Sequence, residues 1–288
     1  MRGWLVVNKY HISDSFTNLV DILIDTAKKN DTDFDIIDNI SILKLLSNKN
    51  YIKPDYVLFW DKDIKLAKFL ETEGIKVFNS SDSIRICDDK ALTYLYLRNA
   101  GIKMPKTIFS PLIYFHNLYE DKDFISFVVN HLKFPFVFKE CFGSFGNQVY
   151  LVNNEMELID RIKACDKSPF EMQEFIETSF GRDLRIYIVG NEVIGGMLRT
   201  NTSGDFRANI EIGGKGQRYD LNKTHIDLAK KVMSVLKLDF AGIDILFGKN
   251  NNDLLCEVNS NAYFISFNKA LNVNVADYII KYIKEKIT

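Results

Sequence analysis

Three oxygen-bearing side chains near the C-terminus, Asp244, Glu257 and Asn259, stand among Ile, Leu and Val in two strand-like runs. The runs, Gly242–Phe247 and Leu254–Asn259, are joined by the polar segment Gly248–Asp253, a hairpin pattern. If Phe247 pairs with Leu254, counting back sets Asp244 opposite Glu257, and the period of two puts Asn259 on the same side. Two like charges on an apolar sheet repel and lose hydration, a cost that a divalent cation removes. Hard oxygen ligands suit Mg²⁺ or Mn²⁺ better than zinc. Magnesium usually completes its shell with waters and substrate phosphates, which points to a nucleotide. The alternative is a solvated sheet edge with incidental charges.

Other residues could meet such a nucleotide. Lys139 closes the apolar run FPFVFKE, and the following Gly143, Ser144, Phe145 and Gly146 could offer backbone N–H groups to phosphate oxygens. Some thirty residues on, Gln173, Glu174, Phe175 and Ile176 could present backbone groups to an adenine edge, with Asp183 beyond them able to accept from ribose hydroxyls. Arg185, Arg199 and Arg207 fall in adjacent strand-like segments, where guanidinium groups meet phosphate or carboxylate. Each feature has a plainer reading: a solvated lysine, turn glycines, a buried strand, outward-facing charges. No GxxxxGK[ST] occurs, and strand, glycine loop, strand is the pattern of a hairpin flap rather than of a Walker loop.

The elements that must position these residues fall into three groups. Up to about residue 88, strand-like Trp4–Val7, Phe34–Ile37, Tyr56–Trp60 and Ile75–Phe78 alternate with helix-like Phe16–Ala27, Ile40–Leu46 and Lys62–Glu73, predicting an open parallel α/β domain with loops at strand C-termini free for ligands. From 89 to 171 a central α+β subdomain carries helices at Ala91–Asn99, Phe124–Leu132 and Glu155–Ala164, and the flap between Phe134–Glu140 and Val149–Val152. From 172 to 288, strand-like Leu184–Val189, Val193–Arg199 and Arg207–Ile212, separated by tight turns, predict an antiparallel sheet. Helix-like Leu228–Leu236, the hairpin and a final helix Ala276–Ile287 complete it.

With 288 residues the chain can bury a large core and exceeds the usual single domain. Its net charge of −1, from 37 basic and 38 acidic residues, argues against a nucleic-acid surface. Four scattered cysteines, with no CxxC pair, read as reduced thiols. No apolar run approaches a membrane span or a signal segment, so a cytoplasmic, membrane-free protein is expected.

The motifs DDK, AGIKMPKT, FVFKECFGSFGNQVYLV, QEFIETSFGRDLRIYIVG, MLRTNTSGDFRANIEIGG, GIDILF and EVNSN follow one another between about residues 85 and 261. In that order they resemble the ATP-grasp superfamily, and within it the RimK-like branch similar to ribosomal protein S6 glutamate ligase. The resemblance implies an ATP-grasp fold with ATP between the central and C-terminal subdomains. Lys90 and Lys139 would approach the ATP phosphates, Gly143–Gly146 would close over them, Gln173–Ile176 would form the adenine hinge, and Asp183 would meet the ribose. Asp244, Glu257 and Asn259 would ligate two magnesium ions, while Arg199, Arg207 and Asn209 would face the reacting carboxylate. The activity implied is a carboxylate–amine ligase acting through an acyl phosphate, with glutamate or another amino acid as one substrate and a small molecule, peptide or protein as the other. Such enzymes often associate as homodimers. A small-molecule kinase and a non-catalytic ATP-binding module remain the alternatives. After Glu-x-Asn the family continues with small residues and Pro-Gly, whereas here Ser260-Asn261-Ala262-Tyr263-Phe264 follows, altering the loop beside the acceptor site. The N-terminal Asn8–Ser15, at the end of the first strand, is where substrate choice would lie.

Overall fold

The computed structural model describes residues 2–47, 51–115 and 117–288. Its first sheet is parallel, with strands β1 (Arg2–Val7), β2 (Asp33–Asp38), β3 (Tyr56–Trp60) and β4 (Lys76–Phe78) in the order β2-β1-β3-β4. Helices α1 (Asp14–Lys29), α2 (Asn39–Leu46) and α3 (Ile64–Thr72) cross between them. Each helix begins where a short polar side chain, Ser13, Asp38 or Asp63, accepts a backbone N–H of the first turn. β1 and β3 read as unbroken apolar runs because both faces are covered. Leu5, Tyr56, Leu58 and Trp60 pack into one core with α1, while Trp4, Val6, Val57 and Phe59 pack into another with α2 and α3.

Two helices, α4 (Ser81–Asp88) and α5 (Lys90–Asn99), lead into the central sheet. α4 buries Ile84 in the core of the first sheet and Ile86 and Cys87 in a core of the third. It is held by Ser83, whose hydroxyl donates to the carbonyls of Leu236 and Lys237 at 2.9 Å each. The central sheet is antiparallel, with β5 (Thr107–Phe109), β6 (Phe136–Glu140), β7 (Val149–Val152) and β8 (Phe170–Glu174) in the order β5-β8-β6-β7, backed by α6 (Lys122–Leu132) and α7 (Glu155–Cys165). β8 runs across residues 171 and 172, where the sequence reading divides two subdomains, and its whole length pairs with β5 or β6.

The third sheet has β9 (Arg182–Val189), β10 (Glu192–Thr200), β11 (Lys215–Tyr219), β12 (Phe240–Leu246) and β13 (Leu254–Asn259) in the order β11-β10-β9-β12-β13. Helices α8 (Lys223–Leu236), α9 (Ile265–Leu271) and α10 (Val275–Ile287) pack on it. One strand expectation fails. Residues Arg207–Ile212 form a loop ending in a 3₁₀ turn, and the edge strand lies later, at β11. The backbone N–H of Arg207 goes to the Asp205 carboxylate at 2.8 Å instead of to a ladder. Gly213 and Gly214, read as a turn after a strand, instead precede one: Gly213 takes φ +97°, and a Cβ on Gly214 would lie 2.3 Å from the Ala208 carbonyl oxygen. α9 was not anticipated, since no side chain caps its first turn.

Candidate active site

The hairpin β12–β13 sets Asp244 opposite Glu257, as the sequence count expects, although the pairing differs on the way there. Leu246 rather than Phe247 faces Leu254, and an irregularity between Asp244 and Ile245 restores the register with one extra residue, Cys256, on β13. The neighbouring strand adds Arg185, in register with Asp244, and β10 sets Arg199 opposite Asp183. A chain of ion pairs results. Arg199 Nε and Nη2 donate to Asp183 at 2.6 and 2.7 Å, and its Nη2 also lies 2.9 Å from Asp244 Oδ2. Arg185 donates to both oxygens of Asp244 at 2.7 Å. These arginines do meet carboxylates, but the protein's own. Burial works against the charge on Asp244, yet the two guanidinium groups outweigh it and hold the carboxyl down at about 2. Asp183, equally buried and with Arg199 as its main partner, is pushed upward by burial.

Period-two alternation on β8 turns Glu171 and Gln173 to one face, across from β6, where Lys139 is in register with Glu171. Lys139 Nζ donates to Gln173 Oε1 at 2.6 Å and lies 3.6 Å from Glu171 Oε1. Burial alone would lower the ammonium's pKa, but Cys256, Glu171 and Glu257 nearby raise it above its ordinary value. The Gln173 side chain is thus committed to Lys139 and, through Nε2 at 3.1 Å, to Thr107 Oγ1, and it lines the cavity together with Glu174, Phe175 and Ile176. Glu171 was missed in the sequence. The alternation in FEMQE is the signal that could have found it, since Glu171 shares a face with Gln173.

Lys90 opens α5, its Nζ 3.4 Å from the Gly143 carbonyl oxygen and 3.8 Å from Glu257 Oε1. The flap is folded down. Arg207 Nη1 donates to the Gly146 carbonyl at 2.6 Å, and a Cβ on Gly146, at φ +74°, would come 3.0 Å from Asn209 Oδ1. Ser144 Oγ accepts from Lys62 Nζ at 3.2 Å, and the Phe145 ring meets Tyr263 edge-on, 5.4 Å between centroids.

Two cavities flank this flap. The first, between the central and third sheets, is walled by Lys90, Lys139, Phe175, Asp183, Asp244 and Glu257. The second, against the C-terminal ends of β1 and β3, is walled by Asn8, Asp61, Arg185, Asn259, Asn261 and Tyr263. Glu257, Ser144, Phe145 and Asn209 border both. Arg185 and Asn259 therefore face the second cavity rather than the first. Asn261 and Tyr263 belong to the Ser260–Phe264 stretch that the sequence sets beside the acceptor site, whereas Asp61 and Lys62 carry no such mark, because strand-end polar residues look alike until the fold brings them together. Among the described residues no three His, Cys, Asp or Glu side chains form a metal-holding group. Asp244, Glu257 and Asn259 offer two carboxylates and one amide instead, a hard oxygen set of the kind that magnesium shares with phosphate.

Residues 87–283 match the family described as the RimK-like ATP-grasp domain. The chain belongs to this family. Among its relatives, a Mycoplasma genitalium protein named uncharacterized protein MG012 is 35% identical over 267 residues, covering 90% of this chain and 88% of the relative. Human beta-citrylglutamate synthase B is 32% identical over 223 residues, covering 77% of this chain and 56% of the relative. The chain thus spans about half the length of that human enzyme. In fold it is similar to D-alanine–D-alanine ligase from Bacillus anthracis, with a TM-score of 0.76 at 18% identity over 100% of this chain and 97% of that one. The RimK-like membership makes the protein an enzyme of the ATP-dependent ligase class, and the three sheets are those of an ATP-grasp fold. No helix among the described residues is long and apolar enough to cross a membrane.

Proposed function

We propose that this protein is a cytoplasmic carboxylate–amine ligase that forms an amide or peptide bond through an acyl phosphate, with ATP in the first cavity and magnesium on Asp244, Glu257 and Asn259. The observation that carries the reading is the meeting of Asp244 and Glu257 at the cavity that also receives Lys90, Lys139 and the glycine flap. The residues present fit Mg-ATP: two lysines for phosphate oxygens, a flap whose glycines take φ +154° and +74°, and hard oxygen donors at one wall. When bound, magnesium would neutralise and orient the phosphates.

The substrate carboxylate attacks the γ-phosphorus of ATP, ADP leaves, and an acyl phosphate forms. An amine then attacks the acyl carbon and displaces inorganic phosphate. Both reacting groups of the first step are anionic, so Lys90 and Lys139 would hold the phosphates and Arg199 would steady the developing charge beside them. Arg207, already bonded to the Gly146 carbonyl, would hold the flap shut with Asn209 and exclude the water that hydrolyses acyl phosphates. For Asp244 to reach a metal, its oxygens must share or release Arg185 and Arg199. Arg185 faces the second cavity and would then be free to meet a substrate carboxylate there. Phe175 and Ile176 would flank the adenine and Asp183 would lie toward the ribose.

The relative named beta-citrylglutamate synthase favours an amino acid such as glutamate as one substrate. A screen of carboxylate and amine pools, read by ADP release and by product mass, tests the reading. ADP release that requires both a carboxylate and an amine is expected. Release with a carboxylate or alcohol alone and a stable phosphorylated product would make the protein a kinase, and nucleotide binding without release under any pool would make it a binding module.

A further inference from the structure

Two residues that line the second cavity, Asp61 and Asn261, carry hydrogen-bond acceptors that the reaction above leaves unused. Asp61, directly after β3, is 9% exposed, and its carboxylate accepts from Asn8 Nδ2 at 3.1 and 3.2 Å and from the backbone N–H of Lys62 at 2.7 Å. All of these donors are neutral. Among the described residues no cationic side chain pairs with it: the Lys62 ammonium turns instead to Asp88 at 2.6 Å and Ser144 at 3.2 Å, and His11 Nε2 lies 3.0 Å from the Tyr263 hydroxyl. Next to it, Asn261 Nδ2 donates to the carbonyls of Phe59 and Asp61 at 3.1 Å each, which fixes the orientation of its amide. The amide oxygen left over, Oδ1, is buried and accepts no hydrogen bond among the described residues. Trp60, Phe16 and Tyr263 supply the apolar wall around the pair.

A buried carboxylate hydrogen-bonded only by neutral donors, with His11 acting on it through charge alone, beside a buried acceptor that has no donor among the described residues, suits a positively charged donor. We propose that Asp61 and Asn261 together bind the primary ammonium group of the amine-bearing substrate. The inference rests on the ligase reading and extends it: the N-terminal sheet, through the residues that follow β1 and β3, selects the substrate that carries the amine. An ammonium has three donors, enough for one Asp61 oxygen and Asn261 Oδ1 with one remaining, and before attack it would pass one proton to the Asp61 carboxylate and become the neutral amine. The cavity, at about 230 Å³, is below the roughly 300–1,000 Å³ of sites for drug-sized ligands, so the substrate class is an amino-acid-sized amine. Burial raises the Asp61 pKa above its ordinary value, as expected of a carboxylate whose cationic partner comes with the ligand.

Trp60 lines this cavity while Trp4 sits in a separate core, so a Trp4→Phe protein reports the site by its remaining tryptophan. With a non-hydrolysable ATP analogue and Mg²⁺ bound, n-butylammonium chloride is titrated, and n-butanol serves as the neutral control. A saturable fluorescence change for the ammonium alone is expected, weakened at least tenfold by Asp61→Asn while analogue affinity stays within twofold. An equal response to butanol, no saturable response to the ammonium, or a response unchanged in Asp61→Asn overturns the proposal by itself. Absence of analogue binding in both proteins sinks the ligase reading and this one with it.

Discussion

Lys139 has a place in both the fold and the proposed chemistry. Its ammonium is buried and held by Gln173 and Glu171, while Glu171 Oε2 has no hydrogen-bond partner among the described residues. Lys139→Met leaves the Glu171 carboxylate buried without its cation, a loss on the order of 3 kcal/mol. Lower Tm and weakened Mg-ATP binding are expected together, and Lys139→Met with Glu171→Gln should recover Tm but not nucleotide affinity. Calorimetry and a nucleotide titration separate the two. A second residue, Asp239, lies just before β12, where burial, opposed by a hydrogen bond from the Tyr282 hydroxyl at 2.9 Å, pushes its carboxyl up to about 6. The folded protein then binds that proton more tightly than the unfolded chain does. Its stability contribution is present at low pH and is lost as pH rises from the unfolded value of 3.8 through about 6. Asp239→Asn should flatten that part of the stability profile and gain on the order of 2 kcal/mol above pH 6, measured by urea denaturation. At this scale the sequence revealed the charged residues that sit among apolar neighbours, such as Asp244, Glu257 and Lys139. It concealed those whose meaning depends on a partner far away in the chain: Asp61 gains its significance from Asn261, 200 residues on.

At the scale of elements, the flap and the hairpin divide the work. In the proposed reaction the flap would open to admit a nucleotide and close on it, and Gly146 allows its close approach to Asn209. An alanine there carries a strain of about 1–2 kcal/mol at positive φ and crowds the Asn209 amide. Gly146→Ala should therefore cut kcat about tenfold with little change in Tm, as checked by steady-state kinetics beside a thermal melt. A mutant with unchanged kcat would mean that this closed arrangement is not part of turnover. The strands around the flap were legible because FVFKE and VYLV are apolar runs bounded by turn residues. Arg207–Ile212 misled because its apolar residues alternate as a strand would, while Asp205 captures the backbone that the ladder would need. The hairpin register was legible at Asp244 and Glu257 but not the added residue at Cys256, since an irregular strand has no compositional mark.

Across the whole molecule, the first and third sheets share one core. Leu5, Leu58 and Trp60 belong to the same apolar cluster as Tyr187, Phe240, Phe264 and Ile279, and Asn79 donates to the carbonyls of Phe240 and Ser260 at 3.0 and 2.9 Å. The central sheet closes a separate cluster of its own around Phe136, Phe138 and Met172. Hydrogen exchange should therefore protect the first and third sheets as one cooperative unit and the central sheet as another. Equal protection across all three would contradict that division. The same division would suit the proposed reaction, since Asp244, Glu257 and Asp61 lie in or next to the first and third sheets while Lys139 and the flap lie in or next to the central one. The central claim, that a carboxylate is activated as its acyl phosphate, is tested most directly by oxygen transfer. With ¹⁸O in the substrate carboxylate, complete turnover with ATP and the amine should place one labelled oxygen in the inorganic phosphate released, as read by mass spectrometry. Phosphate free of label, with the amide formed, would contradict the account.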